Sequence, residues 1–253
     1  MYFGKPIAFG NTAKIYLHDG KIIKIFKDHL PVTEATAEAK KQKFAYSQGL
    51  NVPKVLDVTE FDGKQAIIME YIKGRTLGEV MLENFHQAEQ LLKRSIEVQQ
   101  RIHTIVAEPL ESMSEKLRKH IEKATKLTDK HKAFLMQSLD SMPLDNKLCH
   151  GDFHLFNLIL TEHNKVTIID WVDSCAGDVR ADICRTYLLY LGFSTELAEM
   201  YLQLYLEKTE WTKEEIIQWL PIIAGARLAE NLSPKDSKGL MDIVDRYCSL
   251  YFH

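Results

Sequence analysis

The chain has 253 residues, 45% hydrophobic and 26% charged, which is the composition of a globular protein long enough to bury a substantial core as one large domain or two small ones. Its formal net charge is −3, its pI is near 6.4, and it has no block of five like charges, so neither a nucleic-acid footprint nor a polybasic membrane patch is indicated. No stretch reaches 18 uncharged apolar residues and MYFGKPIAFG lacks the features of a secretory leader, which predicts a cytoplasmic protein with no membrane or nucleic-acid partner.

The first seventy residues are strand-rich. AKIYLH (13–18) and KIIKIF (21–26) flank Asp19-Gly20, the two-residue signal of a tight hairpin. A helix over 33–48 ends at Gly49, with Pro53 close behind. KVLDVTEF (54–61) and KQAIIMEY (64–71) then flank Asp62-Gly63 as a second hairpin. After Gly74 the pattern turns helical. Thr76 and Glu79 have capping-box spacing, residues 86–107 carry apolar side chains at helical intervals, and 112–126 and 129–141 follow as further helices. Two short strands, LILT (158–161) and VTIID (166–170), interrupt them around His163-Asn164. Helices resume over 178–191, 195–207 and 213–231, the last opened by a capping box at Thr212 and Glu215 and kinked or split by Pro221. A final helix spans 236–251. Cys149, Cys175, Cys184 and Cys248 form no CxxC pair and read as buried reduced thiols.

Chemistry enters with Lys24. On a strand it shares one face with Ile22 and Phe26, and a lysine on an apolar face needs an anion. The next helix offers Glu34 and Glu38, four residues apart on one side. Ahead of them, FGNTAKIY (9–16) has a glycine where a turn could bring backbone N–H groups close to phosphate oxygens, although it is neither a GxGxxG nor a Walker A motif. The densest polar group is HGDFHLFNLIL, with Asp152 and Asn157 five residues apart, followed by VTIIDW with Asp170 at a strand end. Two aspartates and an asparagine can supply hard oxygen ligands to Mg²⁺ and leave one carboxylate to orient a hydroxyl. Turn hydrogen bonds explain each residue singly but not their joint order. His150 and His154 have the i, i+4 spacing of a helical zinc pair, but Gly151 between them argues against a helix, and His150 reads instead as an organiser of the loop.

These residues resemble the aminoglycoside phosphotransferase and choline kinase superfamily, which has a protein-kinase-like fold. HGDFHLFNLIL is similar to the HGDxxxxN catalytic loop, and IIDWVDSCAGDVRADIC to the second signature, while NVPKVL and MEYIKGRTL resemble the segments before and at the interlobe hinge. The resemblance implies an α+β fold of two lobes: a small antiparallel-sheet N-lobe over 1–72 that binds nucleotide, and a larger, mainly helical C-lobe over 73–253 that holds the catalytic loop and the acceptor. It implies Asp152 as the catalytic base, Asn157 and Asp170 as Mg²⁺ ligands, and Lys24 as the contact to the α- and β-phosphates of ATP or GTP. Glu38, by its distance to Gly49 and Pro53, would pair with Lys24. Backbone groups of Glu70 and Ile72 would receive the base, Gly10, Asn11 and Thr12 would cover the phosphates, and Asp178 and Asp182 would organise the loop. A single glycine in the phosphate loop, HGD in place of HRD, Trp171 after Asp170 and no Ala-Pro-Glu motif all point away from protein kinases and toward a small-molecule kinase.

The acceptor is less legible. Residues 171–253 carry 13 Asp/Glu against 8 Lys/Arg, which suits a cationic acceptor such as an aminoglycoside but also describes solvated helix faces. Asp173, Glu230 and Asn231 are candidates to line the acceptor pocket, and Trp171, Trp211 and Trp219 could add cation–π contacts. A salt bridge from Arg227 to Glu230 would reduce that pair to a structural role. The alternatives are a kinase for choline, an amino alcohol or a sugar, and a nucleotide-binding pseudoenzyme; the presence of Lys24, Asp152, Asn157 and Asp170 speaks against the last. The oligomeric state is not legible.

Overall fold

The computed structural model describes residues 3–10, 12–143 and 145–251. Its chain divides into two compact units, Met1–Glu83 with Leu155–Asp173, and Asn84–His154 with Ser174–His253.

The first unit opens with a five-stranded sheet made of β1 (Ala8–Phe9), β2 (Ala13–His18) and β3 (Lys21–Phe26), then, after helix α1 (Glu34–Ser47), β4 (Val55–Phe61) and β5 (Lys64–Glu70). The strand order is β1-β2-β3-β5-β4, antiparallel throughout. Both hairpins turn where Asp-Gly predicts, with φ of 48° and 70° at Asp19 and Gly20 and 50° and 76° at Asp62 and Gly63, the left-handed pairs that suit the twist of the flanking strands. Helix α1 packs on β4 and β5 through Ala35 and Ala39, which join Ala13, Phe26, Val55, Ile67 and Met69 in one buried cluster. Because those contact residues are alanines, the helix backbone comes close to the sheet and its longer neighbours Glu38 and Gln42 are buried with it. Gln42 is satisfied by donating to the Pro53 carbonyl at 2.7 Å. On the opposite sheet face Phe3, Ile23 and Ala66 are buried, and the Phe3 ring meets Phe61 edge-on at 4.8 Å.

A short strand β6 (Gly74–Thr76) leads into α2 (Leu77–Glu83), where Thr76 and Glu79 make both bonds of the expected cap, at 2.7 and 3.1 Å. The second unit then begins with α3 (Ala88–His103), α4 (Met113–Lys123), α5 (Asp129–Asp140) and β7 (Lys147–Cys149). The chain returns to the first unit as the hairpin β8 (Leu158–Thr161) and β9 (Val166–Ile168), and β8 pairs with β6. A Cβ at Gly74 would collide with the Leu160 carbonyl, so this close strand pairing requires glycine there.

The second unit is completed by β10 (Cys175–Gly177), which pairs with β7, and by α6 (Val179–Phe193), α7 (Thr195–Leu206), α8 (Lys213–Ile217), α9 (Leu220–Arg227) and α10 (Pro234–Tyr251). Its helices pack as α6 on α7, α9 on α10, α3 on α7 and α4 on α9. Leu92, Ile96, Ile102, Ile121, Leu135 and Ile222 are fully buried, and all four cysteines are buried. The predicted helix over 213–231 is two helices: Pro221 sits in the first turn of α9, where a missing N–H costs nothing, and α9 ends at Arg227. Glu230 and Asn231 therefore lie in the turn after a helix and not on its face. The predicted helix over 86–107 is likewise shorter, its first residues forming a 3-10 turn, Phe85–Gln87. Among the described residues no helix is long and apolar enough to cross a membrane.

Candidate active site

Within the first unit, three predicted residues meet directly. Lys24 Nζ donates to Glu38 Oε1 at 2.6 Å and to Asp170 Oδ1 at 3.0 Å. The spacing explains why: Lys24 points from β3 to the face that α1 covers, and Glu38 is the acid on the buried side of α1, whereas Glu34 is only half-buried. Lys24 is 6% exposed and Glu38 is 2% exposed, so each charge depends on the other. Burial alone would lower the Lys24 pKa, but the Glu38 and Asp170 carboxylates outweigh it and raise the pKa, so the ammonium persists across the neutral range. Burial pushes the Glu38 carboxyl up, against the pull of Lys24.

Asp170 was expected to continue β9, but the strand stops at Ile168. Asp170 takes φ 64°, a left-handed conformation that a non-glycine residue holds only when its surroundings impose it. This turns its side chain out of the strand alternation, where Lys24 binds it. Asn157 sits directly before β8 and Asp170 just after β9, so the antiparallel pairing Leu158↔Ile168 brings both to one end of the hairpin. The Ile169 N–H donates to the Asn157 carbonyl at 3.0 Å, which ties the two segments together. Asn51, between Gly49 and Pro53, anchors the same hairpin by donating to the Val166 carbonyl and the Thr167 hydroxyl at 2.8 and 2.9 Å. Sequence reading passed over that asparagine, whose role depends on a strand more than a hundred residues away. Lys41, also unremarked, donates to the Val172 carbonyl at 2.6 Å and so holds the segment that leads to the half-buried Asp173.

The remaining predicted nucleotide contacts lie along the sheet. The Gly10 N–H donates to the Ala13 carbonyl at 2.8 Å, closing the turn between β1 and β2, and the Thr12 carbonyl accepts from Lys27 at 2.9 Å. Asn11 falls outside the described residues. Glu70 ends β5, its N–H donating to the Lys54 carbonyl at 3.0 Å, and Ile72 follows two residues later.

Within the second unit the HGD segment follows β7 as a tight loop in which Gly151 has φ 79°. Its shape is set from below by Asp182, a fully buried carboxylate on the first turn of α6. Asp182 accepts from the Gly151 N–H at 2.8 Å, from the His150 N–H at 3.4 Å and from His103 Nε2 at 2.9 Å. His103 is held in turn by the Tyr205 hydroxyl at 3.0 Å. Burial would push the Asp182 carboxyl up, but the His103 hydrogen bond and charge and the Gly151 N–H outweigh it and bring its pKa to about 2. His150 is fully buried and its Nδ1 accepts from the Asp152 N–H at 3.3 Å, the organising role expected of it. His154 Nε2 lies 3.4 Å from Asp152 Oδ2, beside the predicted base. Asp178 caps α6 and pairs with Arg180 at 2.6 Å.

The Asp182 network yields a pH prediction. Its folded pKa of about 2 lies below the ordinary 3.8, so the unfolded chain takes up the proton first and the stabilisation is complete above about pH 4. It is lost as the pH falls toward 2, and the shift corresponds to roughly 2–3 kcal/mol. Urea unfolding of the native chain and of Asp182→Asn at pH 7, 4 and 3 should show a steeper acid loss in the native chain and a lower starting stability in the variant. Equal slopes would remove Asp182 from the account.

The acceptor candidates fare differently. Glu230 accepts from Arg185 Nη1 at 2.7 Å and from Arg227 Nε at 3.2 Å, the structural pairing weighed for it from sequence, with Arg185 as a partner that only the fold reveals. Of the acidic surplus, Asp178, Asp182, Glu199, Glu215 and Glu230 all have cationic or histidine partners within the unit. Trp171 and Trp219 are core residues, 0% and 3% exposed.

The phosphotransferase enzyme family matches residues 4–217. No curated protein matches the chain. Among solved structures, the apo form of a thermostable mutant of aminoglycoside phosphotransferase APH(4)-Ia superposes with a TM-score of 0.74 at 14% identity, covering 97% of this chain and 93% of that one. A ternary complex of the same enzyme with ADP and hygromycin B gives 0.73 at 14% identity, over 97% and 92%. Choline kinase LicA from Streptococcus pneumoniae gives 0.65 at 17% identity, over 95% and 92%. With its family match spanning most of its length and a mixed fold of antiparallel sheet and helices like that of these structures, this chain belongs to the phosphotransferase enzyme family.

Proposed function

We propose that the protein transfers the γ-phosphoryl group of ATP, or of GTP, to a hydroxyl of a small molecule, with residues 1–72 serving the nucleotide and 73–253 the catalytic loop and acceptor. The observation that carries this reading is the buried Lys24–Glu38 pair extended to Asp170, with Asn157 at the same hairpin end. Lys24 would hold the α- and β-phosphate oxygens, and Glu38 keeps its ammonium charged and aimed. Backbone groups of Glu70 and Ile72 would receive the base, and the turn from Gly10 through Asn11 to Thr12 would cover the phosphates. Asp170 and Asn157 are hard oxygen donors suited to Mg²⁺, which, when bound, neutralises charge on the phosphate oxygens. Asp152 would take the proton from the acceptor hydroxyl as its oxygen bonds to the γ-phosphorus and the bridging P–O bond breaks, releasing nucleoside diphosphate. Catalysis then lies in positioning and charge neutralisation.

Asp173 is the acceptor-lining residue this reading favours. An aminoglycoside acceptor draws support from the hygromycin B complex of APH(4)-Ia, and an amino alcohol from the likeness to choline kinase LicA. Thermal shift with ATP and with GTP, each with and without Mg²⁺, followed by a panel of aminoglycosides, choline, ethanolamine and sugars read by nucleoside diphosphate release, should show Mg²⁺-dependent nucleotide stabilisation and turnover with one acceptor class. Binding without turnover across the panel would favour a pseudoenzyme.

A further inference from the structure

Gly151 is held at both of its peptide groups. Its N–H is fixed by Asp182, as described above, and its carbonyl oxygen accepts from Arg185 Nε. Arg185 lies one helical turn beyond Asp182 on α6, so both clamps are carried by one rigid helix, three residues apart. The Arg185 side chain is 14% exposed, and its second contact is the 2.7 Å ion pair with Glu230, whose other oxygen accepts from Arg227 on α9. A guanidinium has rigid planar donors that can bond a carbonyl and a carboxylate at once, which a lysine ammonium on a flexible stem does with less directional control. The carbonyl that Arg185 holds belongs to the peptide bond leading directly into Asp152, so rotation of that peptide would redirect the Asp152 side chain.

We infer that Arg185 is a positioning residue for phosphoryl transfer, clamping the Gly151–Asp152 peptide so that the Asp152 carboxylate is held in its reactive direction, and that Glu230 and Arg227 hold Arg185 in place. The inference rests on the reading of Asp152 as the base. It also gives Glu230 a different task from acceptor binding: the turn after α9 is linked to the catalytic loop through one arginine. Asp182 cannot replace this clamp, because it fixes only the preceding N–H; the Gly151–Asp152 peptide itself is held by Arg185 at its carbonyl and by His150 Nδ1 at its N–H.

The test compares Arg185→Ala, Arg185→Lys, Glu230→Gln and Asp152→Ala, using ADP release from MgATP with hygromycin B or choline offered as acceptor and water as the acceptor otherwise. Nucleotide affinity is measured separately by titration, and folding by thermal unfolding. Misaiming a reacting group by about an ångström costs on the order of 10²-fold, so Arg185→Ala should lower kcat by about 10- to 100-fold while the ATP dissociation constant stays within about twofold. Arg185→Lys should recover part of the loss, and Glu230→Gln should show a smaller loss in kcat, because a neutral amide still bonds the guanidinium. In the Asp152→Ala background, Arg185→Ala should cost nothing further, since there is no carboxylate left to aim. A merely structural arginine would lower the melting temperature and leave kcat at 20 °C intact. That result, with turnover by Asp152→Ala reduced by about 10²–10⁴-fold, would overturn the positioning role alone. Turnover retained by Asp152→Ala would instead overturn the base assignment, and this inference with it. If Arg185→Ala does not fold, Arg185→Lys and Glu230→Gln decide by the same split between kcat and affinity.

Discussion

Replacing Asp152 with Asn should lower phosphoryl transfer by orders of magnitude while leaving nucleotide binding nearly intact. The substitution keeps the size and hydrogen-bonding shape of the side chain and removes the group that accepts the hydroxyl proton. General-base catalysis is worth about 10²–10⁴-fold, so the loss should fall in that range with an otherwise unchanged ATP affinity. The fold of the loop should survive, because its supports act on the backbone: Asp182 and Arg185 hold Gly151, and His150 takes the Asp152 N–H. Single-turnover measurement of phosphorylated product, beside a nucleotide titration, separates the two effects. Full transfer by Asp152→Asn would sink the role assigned to it. A weakened ATP affinity with unchanged chemistry would move Asp152 from the acceptor to the nucleotide.

The second large effect concerns Lys24, where stability and activity should come apart. Lys24→Met removes the cation proposed to hold the phosphates and leaves Glu38, 2% exposed, without its partner. Losing one charge-stabilising donor costs about 10²–10³-fold in rate. Breaking a buried ion pair from one side costs about 3–5 kcal/mol, whereas replacing both partners with apolar groups of similar size is often close to neutral. The double variant Lys24→Met/Glu38→Met should therefore recover most of the lost stability and none of the lost turnover. Denaturant unfolding and ADP release on the native chain, both single variants and the double variant would show this. Recovery of activity in the double variant would mean that the pair serves folding and not phosphate binding.

These outcomes also bear on the acceptor. An acidic C-terminal half suggested a cation site, but the fold spends several of those acids on internal partners: Glu230 on two arginines, Asp182 on a histidine, Glu199 on Lys213. Counting charges in a sequence cannot separate such internal pairs from a surface that meets substrate, because the partners come from distant elements. Arg185 was missed for the same reason. Its neighbours along the chain are ordinary helix residues, and only the path of the chain brings the Gly151 carbonyl, 34 residues away, within reach of its guanidinium.

Wherever the physics is local, the sequence was sufficient. Asp19-Gly20 and Asp62-Gly63 admit left-handed backbone and therefore turned as read, and the Thr76 and Thr212 caps formed because their partners lie three residues on. The alternation of KIIKIF put Lys24 on an apolar face, where burial would call for an anion and an edge strand would not. The grouping of HGD, Asn157 and the strand-end Asp170 carried the family, since that order of residue types has no economical explanation in turns and caps. Tertiary structure decided which carboxylates Lys24 meets, because Glu34 and Glu38 lie on the same side of α1 and the packing against the sheet buries only Glu38. It also drew Asp170 out of its strand into a left-handed conformation, returned residues 155–173 to the first unit through the β6–β8 pairing, and enlisted Asp182 and Arg185 as the two clamps on Gly151. Each of these depends on groups far apart in the chain, and no periodicity or local propensity records which of them the folded chain brings together.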